Sequence, residues 1–258
     1  MLCWRGLGLD RVPALNGSVW LVLAATWAGA QNALAGGGTF VTLPALLLWG
    51  LDPLSANVTS TVALFPGQVV SGLTNRRMVV GPPGLPAPAL LAIAGVGGLV
   101  GAGLLLATPV AVFTRLIPWL VLFSTAVFAW GSYFRKPVVS AQARPRMAAG
   151  VQGLIAIYGG YFGGGIGFLI LAFLTGGGVS LRAASATKNA LAAVINLGAV
   201  LVFVLFPAVQ WRAAALVCGG SIAGGLAGAL ALQRIPEQVL RGLVVAIGLL
   251  LAAGLFLR

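Results

Sequence analysis

Two stretches decide how this chain folds: GGGTFVTLPALLLWGLDPLSANVTS (36–60) and GGGIGFLILAFLTGGGVSLRAASATKN (163–189). Each opens on three glycines and continues into about 13 largely apolar residues, 39–51 and 166–178. That length makes ~20 Å of helix, too short to cross a bilayer core alone. A short helix behind a glycine-rich break predicts a broken or re-entrant helix. Such backbone is tolerated in lipid only where protein or a water-filled cavity covers its free polar groups. The two stretches align at a shift of 128 residues around Thr59 and Thr187 (187 − 59), and of 127 at the triplets (163 − 36).

Working outward, 60% of the 258 residues are apolar and 7% are charged, with a mean hydropathy of +1.06. A soluble domain keeps about 25% charged residues to hold its surface in water. The composition therefore predicts an all-α polytopic membrane protein and excludes the soluble-enzyme classes. Apolar runs between turn signals divide the chain into ten pieces: 17–35, 39–51, 54–74, 84–107, 110–134, 147–162, 166–178, 181–206, 209–232 and 236–257. The start, MLCWRGLGLDRVP, lacks a basic region followed by an apolar core and a small-residue cleavage site, so no cleaved signal peptide is expected. Cys3 and Cys218 form no ligand spacing, which points to neither a disulfide framework nor a metal site.

Fifteen Lys+Arg against three Asp+Glu, with no His, leave a net charge of +12. In a membrane chain these residues orient the segments and meet anionic lipid rather than nucleic acid. Arg76, Arg77, Arg135, Lys136, Arg144, Arg146, Arg182, Arg234 and Arg241 fall on one side; Arg5, Arg11, Arg115, Arg212 and Arg258 fall on the other with Asp10 and Asp52. The denser set places the central loop in the cytoplasm and both termini outside. Each half holds five pieces, an odd number, so the second copy enters from the opposite face. The expected organisation is a first inverted repeat over 1–134, a basic cytoplasmic linker over 135–146 and a second inverted repeat over 147–258. Inverted repeats with matching interrupted helices are the sequence mark of a secondary transporter with its site at the midplane.

The residues expected to form that site follow from position and polarity. A helix that starts inside the membrane presents unpaired N–H groups and the positive end of its dipole, which suits an anion. Gly36, Gly37, Gly38 and Gly163, Gly164, Gly165 let a ligand approach that backbone. The glycine runs from Gly95 to Gly103 and from Gly219 to Gly228 read instead as close helix packing. Asn57, Ser60, Thr61, Gln68 and Ser71 share one helical face, as do Ser185, Lys188, Asn189 and Asn196. At the 128-residue shift Ser60 pairs with Lys188 and Gln68 with Asn196. An intramembrane lysine is expensive, ~2.5–3.5 kcal/mol on insertion scales, and by default marks function. No Asp or Glu lies near Lys188 in the sequence, so it would attract a small anion. Gln31, Asn32, Tyr158 and Tyr161 are further candidates. No proton-relay His or intramembrane carboxylate and no P-loop is present.

At these residues the chain resembles the sulfite exporter TauE/SafE family, whose repeated pattern is a Gly-rich turn, a short apolar helix and a helix opening in A-x-x-TS. The first copy matches through Pro44, Thr59 and Ser60; in the second, Ala172 stands near the usual proline and Lys188 replaces the serine. The resemblance covers both halves and implies a bacterial inner-membrane permease, usually outward, for sulfite, sulfonates such as sulfoacetate, or other small organic anions. Gly36, Gly37, Gly38, Asn57, Thr59, Ser60, Gly163, Gly164, Gly165, Thr187 and Lys188 carry over as site residues by motif.

The combined expectation is a secondary transporter, not an enzyme, with no cofactor and no metal. Its partners are a small anion and the lipid bilayer, with no nucleic acid and a homodimer left open. Asn57, Thr59, Gln68, Thr187, Asn189 and Asn196 would shape the path, with Lys188 and the glycine breaks at the anionic head. A non-transporting membrane subunit is the rival reading. A cation transporter and an intramembrane enzyme lack the ligands and nucleophile–base pairs they need.

Overall fold

The computed structural model describes residues 14–34, 36–74, 76–133, 145–231 and the positions 245, 246, 249, 250 and 253. The N-terminal leader, most of the basic linker and nearly all of the expected tenth piece lie outside these residues. The described residues form nine α-helices: α1 (Ala14–Leu34), α2 (Thr39–Leu48), α3 (Pro53–Thr74), α4 (Ala87–Ala107), α5 (Val110–Tyr133), α6 (Pro145–Tyr161), α7 (Ile166–Gly176), α8 (Leu181–Phe203) and α9 (Trp211–Ala231). A 3-10 turn covers Arg76–Met78, and no strand occurs among the described residues. The segments Ala87–Ala107, Val110–Val127 and Ala183–Phe203 are long and apolar enough to cross a membrane.

Local chemistry explains several boundaries. The Asp52 carboxylate accepts hydrogen bonds from Leu54 N at 3.0 Å and Ser55 N at 3.1 Å, which caps α3. Pro53 then occupies the first helical position, where no N–H is needed. The short helices α2 and α7, each starting behind its glycine triplet, are wrapped by protein. Phe40, Leu43 and Leu46 of α2 join Phe113, Ile117 and Val121 of α5 in one apolar core. Ile166, Ile170 and Leu174 of α7 join Leu90 and Ala94 of α4 and Leu191 and Ile195 of α8 in the other. Large apolar side chains face outward elsewhere, among them Leu104, Trp119, Phe123, Leu154 and Leu201. That pattern fits lipid as the solvent, because tails do not penalise exposed leucine.

Glycine sets the closest helix contacts. A Cβ on Gly101 would strike the Ile157 carbonyl, and one on Gly98 the Ile195 carbonyl. A Cβ on Gly224 would strike the Thr26 carbonyl. Without side chains at these points α4 seats on α6 and α8, and α9 on α1. Contacts also give the directions. Gly97 meets Ala156 and Gly101 meets Ile157 and Gly160, so α4 and α6 run parallel. Gly220 meets Val22 and Ala25, and Gly228 meets Ala30, so α1 and α9 also run parallel. Gly72 lies against Asn189 and Ala190 while Gln68 reaches Asn196, which makes α3 and α8 antiparallel. The packing partners exchange between the halves: α1 and α3 both pack on α9, while α6 and α8 both pack on α4.

Candidate functional site

At the first break Gly36 has φ +89° and at the second Gly163 has φ +74°, a backbone region that side chains strain to enter. Gly36 packs close to the start of α7, where a Cβ would come within 3.2 Å of Gly167 Cα. Each break is braced by a polar side chain from the helix before it. Gln31 Nε2 donates to Gly37 O at 3.2 Å, and Asn32 Oδ1 accepts from Gly38 N at 3.4 Å. Across the molecule the Tyr158 hydroxyl donates to Gly164 O at 2.9 Å. Gly38 N and Gly164 O gain partners in this way, while Gly37 O also accepts from Phe40 N at 2.9 Å.

Between the two breaks lies a narrow cavity, with room for on the order of one or two water molecules. Gly36 and Gly163 both line it, as do Thr39 and Gly167 in the opening turns of α2 and α7. From α3 come Gly67, Gln68 and Ser71; from α8 come Lys188 and Asn189; from α1 come Gly29 and Asn32; and from α9 comes Ser221. Both halves of the chain therefore build one site, and the first turns of two short helices bring positive dipole ends to it.

Lys188 dominates its electrostatics. The residue is 2% exposed and lines the cavity. The acidic residue among those described, Asp52, is exposed and caps α3 instead. No ion pair reaches Lys188 among the described residues. At the related position of the first half, Ser60 is fully buried and shares a hydrogen bond of 2.5 Å with Thr42 of α2. Lys188 is thus the one basic side chain in a space otherwise lined by neutral amides, hydroxyls, glycine and the apolar Ala33, Leu64, Ile166 and Ala192.

The remaining residues singled out from sequence sit behind or beside the cavity. Asn196 Nδ2 donates to Gln68 Oε1 and orients that amide from the second layer. Asn57 Nδ2 donates to the Tyr161 carbonyl at 3.3 Å, and the Tyr161 hydroxyl donates to Thr108 Oγ1 at 3.4 Å. Thr187 Oγ1 accepts from Val80 N and donates to Val80 O, both at 3.0 Å, while Thr59 Oγ1 accepts from Gln210 N at 3.0 Å. Gly37, Gly38, Gly164 and Gly165 pack against side chains or backbone near the breaks rather than lining the cavity. Gln31 Oε1, Asn57 Oδ1 and Asn196 Oδ1 are buried without a protein partner, sites where a buried water is expected.

Gly29, Thr39, Gly67, Gly167 and Ser221 line the cavity without having stood out in the sequence. Ser71, which also lines it, was legible by its spacing on the polar stripe with Gln68. Ser221 was not, since it sits in the glycine-rich run of α9, where its hydroxyl donates to Ala63 O and Cys218 O.

The sequence is similar to those of known membrane proteins. Residues 21–255 match the family described as Sulfite exporter TauE/SafE. A "Probable membrane transporter protein YfcA" of Escherichia coli (strain K12) is 29% identical over 253 residues, covering 94% of this chain and 90% of its own. "Probable membrane transporter protein ORF9" of Sinorhizobium sp is 30% identical over 237 residues, 90% of each chain. A "Probable membrane transporter protein" of Haemophilus influenzae is 28% identical, over 86% of this chain and 88% of its own. No solved structure matches at a significant level.

Proposed function

The chain belongs to the sulfite exporter TauE/SafE family, a family of membrane transporters, and from that premise we propose that it carries a small anion across the bacterial inner membrane by alternating access. The observation that carries the reading is Lys188: a buried cation, without an acidic partner among the described residues, facing a cavity built by both halves. Burying such a charge is costly unless something compensates it. An anion drawn to that cavity meets the ammonium, the opening turns of α2 and α7, and the amides of Asn32, Gln68 and Asn189. The proposed substrate class is sulfite, a sulfonate such as sulfoacetate, or another small organic acid.

The fold is read as two inverted repeats, 1–134 and 147–258, joined by a basic cytoplasmic linker, with a broken helix at each glycine triplet. Support comes from the antiparallel α3–α8 pair, from the exchange of packing partners between halves, and from Thr59 and Thr187 binding the loops before α9 and α4. With the central loop inside, both termini face outward. Export then needs no proton relay, because an anion leaving a cell that is negative inside gains ~2.3 kcal/mol per charge per 100 mV.

The test is flux in proteoliposomes. Lys188→Ala is expected to lower anion efflux by at least about tenfold, because it removes the cavity's cation, while the protein stays inserted and folded by thermal unfolding. Undiminished flux would remove this lysine, and with it the proposed site, from transport.

A further inference from the structure

Resting on that reading, we infer that the cavity is one of two alternating vestibules. The other, closed in this conformation, opens towards the Asp52 end of α3, between Ser60 and Thr61 of that helix and Ile195, Asn196 and Ala199 of α8. The cavity is lopsided about the repeat. Leu64 and Ala192 correspond at the 128-residue shift (192 − 64), and both line it. From that shared level the lining continues in one direction only. It follows Gly67, Gln68 and Ser71 along α3, and Asn189 and Lys188 back along α8. Because these helices are antiparallel, both runs lead to the end where the exposed Arg76 and Arg77 follow α3.

The corresponding positions in the other direction are shut. Ile195, Asn196 and Ala199 answer to Gly67, Gln68 and Ser71, while Ser60 and Thr61 answer to Lys188 and Asn189. None of these counterparts lines the cavity, and each is at most 5% exposed. Ile195 packs on Gly98 and Gly159, and Ser60 is bonded to Thr42. The shut half nevertheless holds polar atoms fit for water. Asn57 Oδ1, one turn from Ser60 and Thr61 on the same face of α3, is buried without a protein partner, and so is Asn196 Oδ1. Hydration in an open state would relieve that cost. Gln68 and Asn196 mark the pivot: they are counterparts (196 − 68 = 128), they are hydrogen-bonded to each other, and only Gln68 reaches the cavity. Exchanging the conformations of the two halves, which inverted repeats permit, brings Asn196 to the wall and withdraws Gln68 behind it.

Ser71→Cys and Ala199→Cys (199 − 71 = 128) place one thiol in each vestibule of the full-length protein, in a background without Cys3 and Cys218. Right-side-out and inverted membrane vesicles present its two faces separately to sulfonatoethyl methanethiosulfonate, a small, membrane-impermeant anion. Arg77→Cys and Asp52→Cys identify the faces. Ser71→Cys is expected to react from the Arg77 face. Ala199→Cys is expected to react only from the Asp52 face and at least about tenfold more slowly, since a minor conformer is populated at no more than ~10%. In the double variant the adduct on the first thiol is too large for the narrow cavity to close over, so reaction at the second should be suppressed. Asn189→Cys and Thr61→Cys form a second pair (189 − 61 = 128) if Ala199→Cys does not fold. Reaction of both thiols from one face, equal rates, no reaction at position 199, or no suppression by the first adduct each overturns the second vestibule. Flux is read alongside. A loss in Lys188→Ala together with any of those results keeps anion transport and discards only the second vestibule; undiminished flux in Lys188→Ala discards the anion reading whatever the thiols show.

Discussion

Thr59 and Thr187 lie 128 residues apart and perform matching tasks at opposite ends of the antiparallel α3–α8 pair: each hydroxyl pins the loop that precedes a helix of the other half. Thr187 makes two such bonds, to the N–H and the carbonyl of Val80. Thr187→Val keeps the shape and removes both, so it is expected to cost about 1–2 kcal/mol. Thr187→Ser restores the hydroxyl and should recover most of the loss. Thermal unfolding in detergent of the three proteins measures the difference, and equal melting of wild type and Thr187→Val would show the latch to be without weight. The sequence made the pairing of these threonines visible through the repeat. It could not say that they hold loops and stand outside the cavity lining, because polarity marks a need for a partner and leaves open which partner meets it. Lys188 was legible on stronger grounds: its burial cost made a specific role the default.

At the scale of elements, the glycines of α4 make two opposite forecasts from one substitution. Replacing glycine by alanine inside a helix gains up to ~1 kcal/mol of intrinsic propensity. At Gly103 a Cβ would meet nothing within 4 Å, so Gly103→Ala is expected to be neutral or mildly stabilising. At Gly101 the same atom would collide with the Ile157 carbonyl, and overpacking of about 1–3 kcal/mol or more outweighs the gain. Gly101→Ala should therefore melt well below Gly103→Ala; matching melting temperatures would mean that α4 and α6 are not held at this distance. The starts of the two short helices were readable in advance: α2 and α7 begin at the residues that follow their glycine triplets, and each ends two or three residues before the expected end of its piece. Which glycine of a run touches a neighbour was not, since small residues at near-helical spacing occupy several faces and only the packed partner selects one.

For the whole molecule, the proposed inverted arrangement predicts that the two ends of α3 open to opposite compartments. In a background without Cys3 and Cys218, a membrane-impermeant thiol reagent is expected to label Asp52→Cys from outside intact cells. Arg77→Cys should label only after permeabilisation. Labelling of both from one side would end the proposed crossing and the inverted repeat with it. Residue order alone was enough for the membrane class and the helical make-up, because hydropathy and chain length act locally and leave their mark on composition and spacing. Tertiary packing settled the rest. It brought Gly36, Gly163 and Lys188 to one cavity, turned Ser60 inward against Thr42, and recruited Ser221 from a glycine run. Those choices depend on which helices come within a carbonyl's reach of each other, and such a distance is a property of the assembled helices, not of any one of them.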